Sequence, residues 1–351
     1  MKRKILAASL ASAFAMPALA QVPAEITIYG RVNISAERIE TDNSSDPAVP
    51  NQSNYELVDN NSRIGIRGKK ELTPGLNAIF QIESRVNLTR GGDVLTSRDS
   101  FAGLQGGFGT LRAGRTVGPV YYATYDYISM HNHDTGTSSD ALLNPTVVGF
   151  QGFMNNTLWY TSPKFGPITI DAAFSLLDEE RIPGMAQPRH VGLVGSYDQG
   201  PLHAAISYAN TENVDLDPDP GVIQAEGTAW TIGAAYDFKF MVLGALWETG
   251  ETLIAGTEVD RDYWRVAAMF PFGQHELHLN YGVADIDGDR GAKQWTVGYN
   301  YNITKTTKVY AFYTMIDNDR AGSFRLDQAD TITGTAGAEY SSIAVGFRHN
   351  F

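Results

Sequence analysis

The chain contains few of the side-chain combinations that catalyse reactions or hold metal ions. His131, His133 and Asp134 stand close together, but two loop histidines with one carboxylate lack the ligand set of a protein zinc site. The acidic runs Asp215–Asp219 and Asp285–Asp289 resemble calcium loops without the glycine at the sixth position. No cysteine is present, and no G-x-S-x-G, H-E-x-x-H or P-loop motif occurs. We therefore expect no metal, no cofactor and no enzymatic reaction.

Arginines at alternating positions favour a different chemistry, the electrostatic selection of ions. In residues 25–38, Arg31 shares one parity with Tyr29 and other polar residues, whereas Ile26 and Ile28 begin the opposite, apolar parity. A period of two is typical of a β-strand with one polar and one apolar face. The same reasoning places further charged residues on polar strand faces: Arg63, Arg67, Glu83, Arg85, Arg112, Asp171 and His278.

The alternation recurs along the chain in segments of about ten residues. The 17 tyrosines and 16 phenylalanines also favour strands. Seven tight turns containing Gly, Pro, Asn or Asp separate these segments. They alternate with eight longer polar stretches: 39–61, 89–99, 116–154, 178–189, 210–226, 249–260, 285–291 and 318–338. Fifteen connections join sixteen strands, and short turns on one rim with long loops on the other are typical of an outer-membrane barrel.

Two architectures fit such strands, a soluble sandwich with an apolar core and a membrane barrel with an apolar outside. Charged residues on many polar faces favour the barrel, because sixteen strands enclose water and not a filled core. The predicted fold is therefore all-β: a 16-stranded antiparallel transmembrane β-barrel with short periplasmic turns and long extracellular loops. Aromatic residues near strand ends are expected in the membrane-interface girdles, among them Trp159, Tyr160, Trp264, Phe270, Trp295, Tyr301 and Phe351.

The first twenty residues are typical of an export signal. Lys2–Lys4 precede an apolar segment, and Ala18–Ala20 ends in a small-residue cleavage site. We expect residues 1–20 to be a signal peptide and residues 21–351 to form the barrel. Removing the three cations of Lys2–Lys4 changes the formal charge from −12 to −15, which argues against binding to nucleic acid.

Four segments in a fixed order carry a family resemblance. They are Ser62–Glu83, Ser97–Arg115, Asn155–Pro163 and the terminal Ala344–Phe351. With this order and spacing, the mature chain resembles the general bacterial porins, most of all those of proteobacteria outside the enteric group. The resemblance implies a homotrimer of sixteen-stranded pores, with a final phenylalanine, here Phe351, that serves as an assembly signal.

The resemblance also implies that the third extracellular loop folds into the barrel and narrows it. Residues 116–154 correspond to that loop. About 39 residues without strand alternation are too many for an ordinary connection in a compact fold, so we expect this segment to have a function.

In this family a basic wall on the strands faces acidic groups on the third loop. The residues that match its pore-lining charges are Arg31, Arg63, Arg98, Arg115 and the carboxylate Glu83, and parity adds Arg67, Arg85 and Arg112. Each arginine could alternatively be only an ion-pair partner that supports the structure. The carboxylates available on the loop are Asp126, Asp134 and Asp140, whereas the Pro-Glu-Phe-Gly-Gly segment of many members is absent. Because Phe153 stands where a basic residue often ends the loop, we expect weak charge selection.

The function implied is passive diffusion of small hydrophilic solutes and ions through a water-filled outer-membrane channel. An alternative is a substrate-preferring channel with a saturable path, in which Tyr121, Tyr122, Tyr125 and Tyr127 stack on the solute. An outer-membrane enzyme and a soluble extracellular β-protein are the other classes that we considered. The expected partners are outer-membrane lipid, lipopolysaccharide, the outer-membrane assembly machinery, two further copies of the chain and the transported solutes.

Overall fold

The computed structural model describes residues 25–45, 50–90, 96–128, 141–143, 152–176, 186–215, 224–326 and 334–351. The predicted signal peptide, the His131–Asp134 segment and Asp140 lie outside these ranges. Among the described residues, no helix is long and apolar enough to cross a membrane.

The described chain is almost entirely antiparallel β-structure. Its strand segments are β1 Glu25–Asp42, β2 Gln52–Asp59, β3 Arg63–Thr73, β4 Leu76–Arg85, β5 Ser100–Gly106, β6 Gly109–Thr116, β7 Met154–Thr161, β8 Ile168–Leu176, β9 Arg189–Gln199, β10 Leu202–Asp215, β11 Gln224–Asp237, β12 Val242–Ile254, β13 Thr257–Phe272, β14 His275–Ile286, β15 Ala292–Asn302, β16 Thr307–Asn318 and β17 Glu339–Asn350. The described residues between β6 and β7 form three short helices: α1 Pro119–Ala123, α2 Tyr125–Ile128 and the 3₁₀ helix η1 Ala141–Leu143.

The segments β2 and β3 belong to one barrel strand, because both pair with the same side of β1. The break between them lies at residues 60–62, where Asn61 adopts a φ of 59°. Each strand pairs with its sequence neighbours, and β17 pairs with β1, so the barrel closes with sixteen strands. The strand number and the closure confirm the prediction.

The two faces of the strands differ as the alternation predicts. On β1 the apolar Ile26 and Ile28 are exposed on the outside, whereas Asn33, Ser35 and Glu37 are buried in the lumen. On the last strand, outward-facing apolar residues alternate with lumen residues up to the C-terminus: Ile343, Val345, Phe347 and Phe351. An apolar outside and a polar inside are what a lipid-exposed, water-filled barrel requires.

The predicted girdle position of one aromatic residue, Trp159, is wrong. Trp159 faces the lumen, where its indole Nε1 donates a hydrogen bond to Asp171 Oδ1 at 2.8 Å. Its neighbour Tyr160 is exposed on the outer face. Adjacent strand residues point to opposite faces, so the two cannot both belong to the girdle.

Several long-loop predictions are too long, because the strands extend beyond the membrane-spanning alternation. The predicted loop 249–260 is a hairpin in which β12 and β13 are joined by Ala255 and Gly256 alone. Both turn residues have positive φ values, 49° and 82°, which suit the two-residue turns that join twisted strands. Similarly, most of the predicted loop 39–61 is strand, since β1 runs to Asp42 and β2 begins at Gln52.

Candidate pore constriction

Three arginines stand opposite one another across neighbouring strands on the lumen side. The register of β1 with β3 pairs Arg31 with Arg63, and the register of β3 with β4 pairs Arg63 with Arg85. Directly opposed residues of antiparallel strands point to the same face, with Cβ atoms about 5 Å apart. The strand pairing therefore builds a row of guanidinium groups, the arginine row, on one lumen wall.

A carboxylate lies next to this row and is surrounded by donors. Glu83 Oε1 accepts a hydrogen bond from Arg98 Nε at 2.6 Å, and Glu83 Oε2 accepts one from Tyr29 Oη at 2.8 Å. Arg63 Nε lies 3.9 Å from the same carboxylate. The Tyr29 ring lies above Gly65, where a Cβ atom would approach it to 2.4 Å, so a larger residue there would displace the tyrosine.

The ring of Tyr29 also contacts Arg67, whose Cζ lies 5.2 Å from the ring centroid. Glu83 and Tyr29 thus connect the two predicted arginines Arg63 and Arg98, with Arg67 stacked on Tyr29 at the side.

Arg98 and Arg115 meet at a single aromatic ring. The Cζ atoms of Arg98 and Arg115 lie 5.3 and 5.2 Å from the centroid of Phe153. Arg115 also donates from Nη1 to Asn155 Oδ1 at 2.6 Å and from Nε to the Ser97 carbonyl at 3.3 Å. Both predicted arginines are therefore placed at the end of the third loop.

Arg112 lies apart from that group and stacks on Trp159, with Cζ 4.4 Å from a ring centroid. Its Nη1 donates to Thr161 Oγ1 at 3.2 Å, and that hydroxyl donates in turn to Asp171 Oδ1 at 2.5 Å. Arg112 lies on the lumen side, and its contacts place it beside Asp171 and not in the arginine row.

Two cations extend the basic wall on the other side of Arg31, and the motif reasoning missed both. Arg31 Nε donates to Asn350 Oδ1 of β17 at 3.0 Å. Two residues earlier on the same strand is Arg348, which is paired in register with Lys308 of β16. Parity would have located Arg348, because its neighbour Phe347 faces outward. Lys308 Nζ lies 3.5 Å from Glu276 Oε2, which also accepts a hydrogen bond from Asn300 Nδ2 of β15 at 2.7 Å.

The third loop enters the lumen immediately after β6. Tyr122 of α1 donates a short hydrogen bond from its hydroxyl to Asp99 Oδ2, and Val117 N donates to Asp99 Oδ1 at 3.0 Å. Burial, reinforced by the negative charge of Asp99, raises the pKa of Tyr122, so the phenol stays protonated and remains a donor. The Tyr122 ring stacks on Trp159 with centroids 6.0 Å apart.

From this anchor the described loop residues pack along the opposite side of the barrel. Helix α1 contacts β8, β9 and β10, helix α2 contacts β11, β12 and β13, and η1 contacts β14 and β15. The lumen faces of these strands carry small or apolar residues that form one buried cluster with the loop: Val194, Ala205, Ala209, Ala235, Leu246, Ala267, Ala284 and Ala292. The described part of the third loop folds inward, as predicted, and it leaves the wall of β1, β3, β4 and β17 to line the passage.

A buried ion pair holds the loop at η1. Arg261 Nη2 donates to the Leu142 carbonyl of η1 at 2.9 Å, and Arg261 Nε lies 3.6 Å from Glu248 Oε1. Leu142, Arg261 and Glu248 are all at least 96% buried. Sequence reasoning missed this pair, although both residues have lumen parity on their strands.

The acidic side of the predicted constriction is described only at Asp126, which lies in α2 and hence on the side of the barrel across from the arginine row. Asp134 and Asp140 lie outside the described residues.

The tyrosines proposed as a stacking path have different positions. Tyr125 is 1% exposed and packs in the loop cluster, and Tyr122 is held by Asp99, so these two anchor the loop and do not form an open path.

Comparison with known proteins decides the family. Residues 7–321 match the family model of the Gram-negative porins. The chain belongs to this family. Curated relatives align over their whole length and that of this porin: outer membrane porin protein 32 of Delftia acidovorans with 27% identity, and major outer membrane protein P.IB of Neisseria lactamica with 25%.

Solved structures support the fold of this porin. An anion-selective porin from Comamonas acidovorans has a TM-score of 0.77 and 24% identity, covering 94% of this chain and 100% of its own. OmpT of Vibrio cholerae in its trimer form has a TM-score of 0.67 and 15% identity, covering 93% and 99%. The porin lies in the bacterial outer membrane and forms a water-filled channel for passive diffusion of small hydrophilic solutes and ions.

One group of carboxylates among the described residues has a spacing that suits a cation: Glu251, Glu258 and Asp260. All three are exposed and lie at outward-facing positions near the long-loop rim. Exposed acidic groups of this kind occur on many surfaces without an ion, and we assign no metal to them.

Proposed function

We propose that the arginine row makes diffusion through this porin weakly selective for anions. The observation that carries the proposal is the register of Arg31, Arg63 and Arg85, which brings three guanidinium groups together on one wall. Arg98 and Arg115 stand beside them, and Glu83 is the carboxylate in contact with this group. A narrow passage with low-dielectric walls focuses the field of such a cluster on a passing ion.

The acidic residues of the outer rim act in the opposite direction but from farther away. At an ionic strength of 0.15 M the Debye length is about 8 Å, so charges at the mouth are largely screened at the constriction. The description of the Comamonas acidovorans porin as anion-selective supports the same sign of selection here. Selection is weak because Phe153 takes the place of a further cation.

Planar-bilayer recording in a potassium chloride gradient tests the proposal. One charge about 6 Å from an ion in water changes the local anion concentration by about threefold. We therefore expect Arg63→Ala to lower the anion-to-cation permeability ratio by about threefold. The reversal potential then shifts towards the equilibrium potential of the cation. Arg38→Ala is the matched control, because Arg38 lies on the outer face of β1 and pairs with Glu40. An unchanged reversal potential for Arg63→Ala, at 0.15 M and at 1 M salt alike, would contradict the proposal.

We also propose how the porin is assembled. It is a homotrimer embedded in lipid and lipopolysaccharide, and its channel has no catalytic step. The outer-membrane assembly machinery inserts it after residues 1–20 have been removed. The trimer form of OmpT supports the oligomeric state. Detergent gels of unheated protein are expected to contain a trimer that heating dissociates, and a monomer band alone would overturn this assignment.

A further inference from the structure

Phe153 occupies the junction between the third loop and the basic wall. It is half-buried and lies one residue before β7 begins. Its ring lies within 5.3 Å of the guanidinium carbons of both Arg98 and Arg115, which lie side by side at the open end of the β5–β6 hairpin. A guanidinium within about 6 Å of an aromatic centroid is attracted by the negative face of the ring.

Each arginine also has a polar partner that holds one side of its guanidinium group. Arg98 donates to Glu83, and Arg115 donates to Asn155 and to the Ser97 carbonyl. Two like charges beside one ring repel each other, so without the ring the two guanidinium groups would turn apart about these contacts. Charges that have turned apart contribute less field at one point of the passage.

We propose that Phe153 is a positioning residue for charge selection, which keeps the guanidinium groups of Arg98 and Arg115 directed at the passage. The phenylalanine that replaces a cation at the end of the loop therefore keeps two other cations in place. This inference rests on the proposed anion selection by the basic wall. Phe153 has no charge, and it contributes to the selection through the two arginines that it contacts.

The test compares substitutions that keep or remove the ring. Phe153→Leu keeps an apolar side chain of similar bulk and removes the π face, and we expect the anion-to-cation permeability ratio to fall about twofold. Phe153→Tyr keeps the ring and is expected to keep the ratio of the parent porin. Phe165→Leu is the matched control, since Phe165 is an exposed residue of a short turn on the other rim.

A second background separates positioning from a change of pore size. In the Arg98→Gln/Arg115→Gln porin, Phe153→Leu is expected to have no further effect on the ratio, because the groups that it positions are absent. All variants are first checked for heat-modifiable migration on gels, which reports a folded barrel.

The outcomes distinguish the two hypotheses. If Arg98→Gln/Arg115→Gln itself leaves the ratio unchanged, these two arginines do not select ions and Phe153 has nothing to position, whereas Arg63→Ala tests the proposed function separately. If that double variant lowers the ratio but Phe153→Leu does not, the wall selects and the positioning role of Phe153 is wrong. An equal effect of Phe153→Leu with and without the two arginines would overturn the positioning role as well.

Discussion

The imidazole of His203 lies flat against the ring of Tyr127, with centroids 3.5 Å apart and planes inclined by 7°. Both ring nitrogens of His203 face oxygen acceptors. Nδ1 lies 2.7 Å from Asp198 Oδ1, and Nε2 lies 2.8 Å from the Ala123 carbonyl of the third loop. This histidine therefore connects the barrel wall to both short helices at the start of the loop.

The first prediction concerns this histidine. His203→Phe keeps an aromatic ring against Tyr127 but removes the contacts to Asp198 and to the Ala123 carbonyl, so we expect it to loosen the start of the loop. We expect more frequent conductance fluctuations in single-channel records of this variant than in those of the parent porin.

His275→Phe is the matched control, because His275 stacks on Phe272 at the turn between β13 and β14, away from the third loop. Equal fluctuation rates in the two variants would show that His203 does not hold the loop.

The second prediction concerns the first anchor of the loop. Tyr122→Phe removes the hydrogen bond to Asp99, and a hydrogen bond to a charged group contributes about 1.5–3 kcal/mol. Asp99 keeps its bond from Val117 N. We expect faster hydrogen exchange of the backbone amides in residues 119–124, with strand amides unchanged. Tyr313→Phe, on the outer face of β16, is the matched control, and equal exchange rates in both variants would exclude Tyr122 as an anchor.

The third prediction concerns the buried ion pair of Arg261 and Glu248 beside η1. Arg261→Met leaves the carboxylate of Glu248 buried without this partner, and breaking such a pair costs about 3–5 kcal/mol. We expect a lower midpoint of urea unfolding in detergent micelles. Adding Glu248→Gln removes the buried charge and is expected to restore part of the loss. If the double variant is no more stable than Arg261→Met, the uncompensated charge of Glu248 is not the cause.

The fourth prediction concerns barrel closure. Gly30 and Phe351 exchange two backbone hydrogen bonds, 3.0 and 3.1 Å long, and a Cβ atom at Gly30 would lie 2.3 Å from the Phe351 ring. Deleting Phe351 removes both bonds and uncovers the apolar face beside Gly30. We expect a lower yield of folded protein in the outer membrane. Phe351→Leu keeps the backbone bonds and is expected to lose less, whereas a normal yield after deletion would contradict the assembly role.

The local pattern of the sequence was sufficient for the faces of the strands. Period two assigned Ile26 to the outside and Arg31 to the lumen, because the side a residue faces depends only on its position along its own strand. Turn and loop spacing then determined the strand number. The loop bounds were less accurate, as the Ala255–Gly256 hairpin illustrates, since polar residues continue β12 and β13 above the apolar zone.

Tertiary structure alone decided which lumen residues meet. Parity put Arg31, Arg63 and Arg85 on the inside, but the strand registers bring them side by side. The path of the third loop likewise depends on contacts with strands far along the chain. Phe153 meets Arg98 and Arg115 because β7, which follows the loop, pairs with β6. Alternation is a property of neighbouring residues, whereas register and loop docking depend on the packing of segments distant in sequence, which no local pattern encodes.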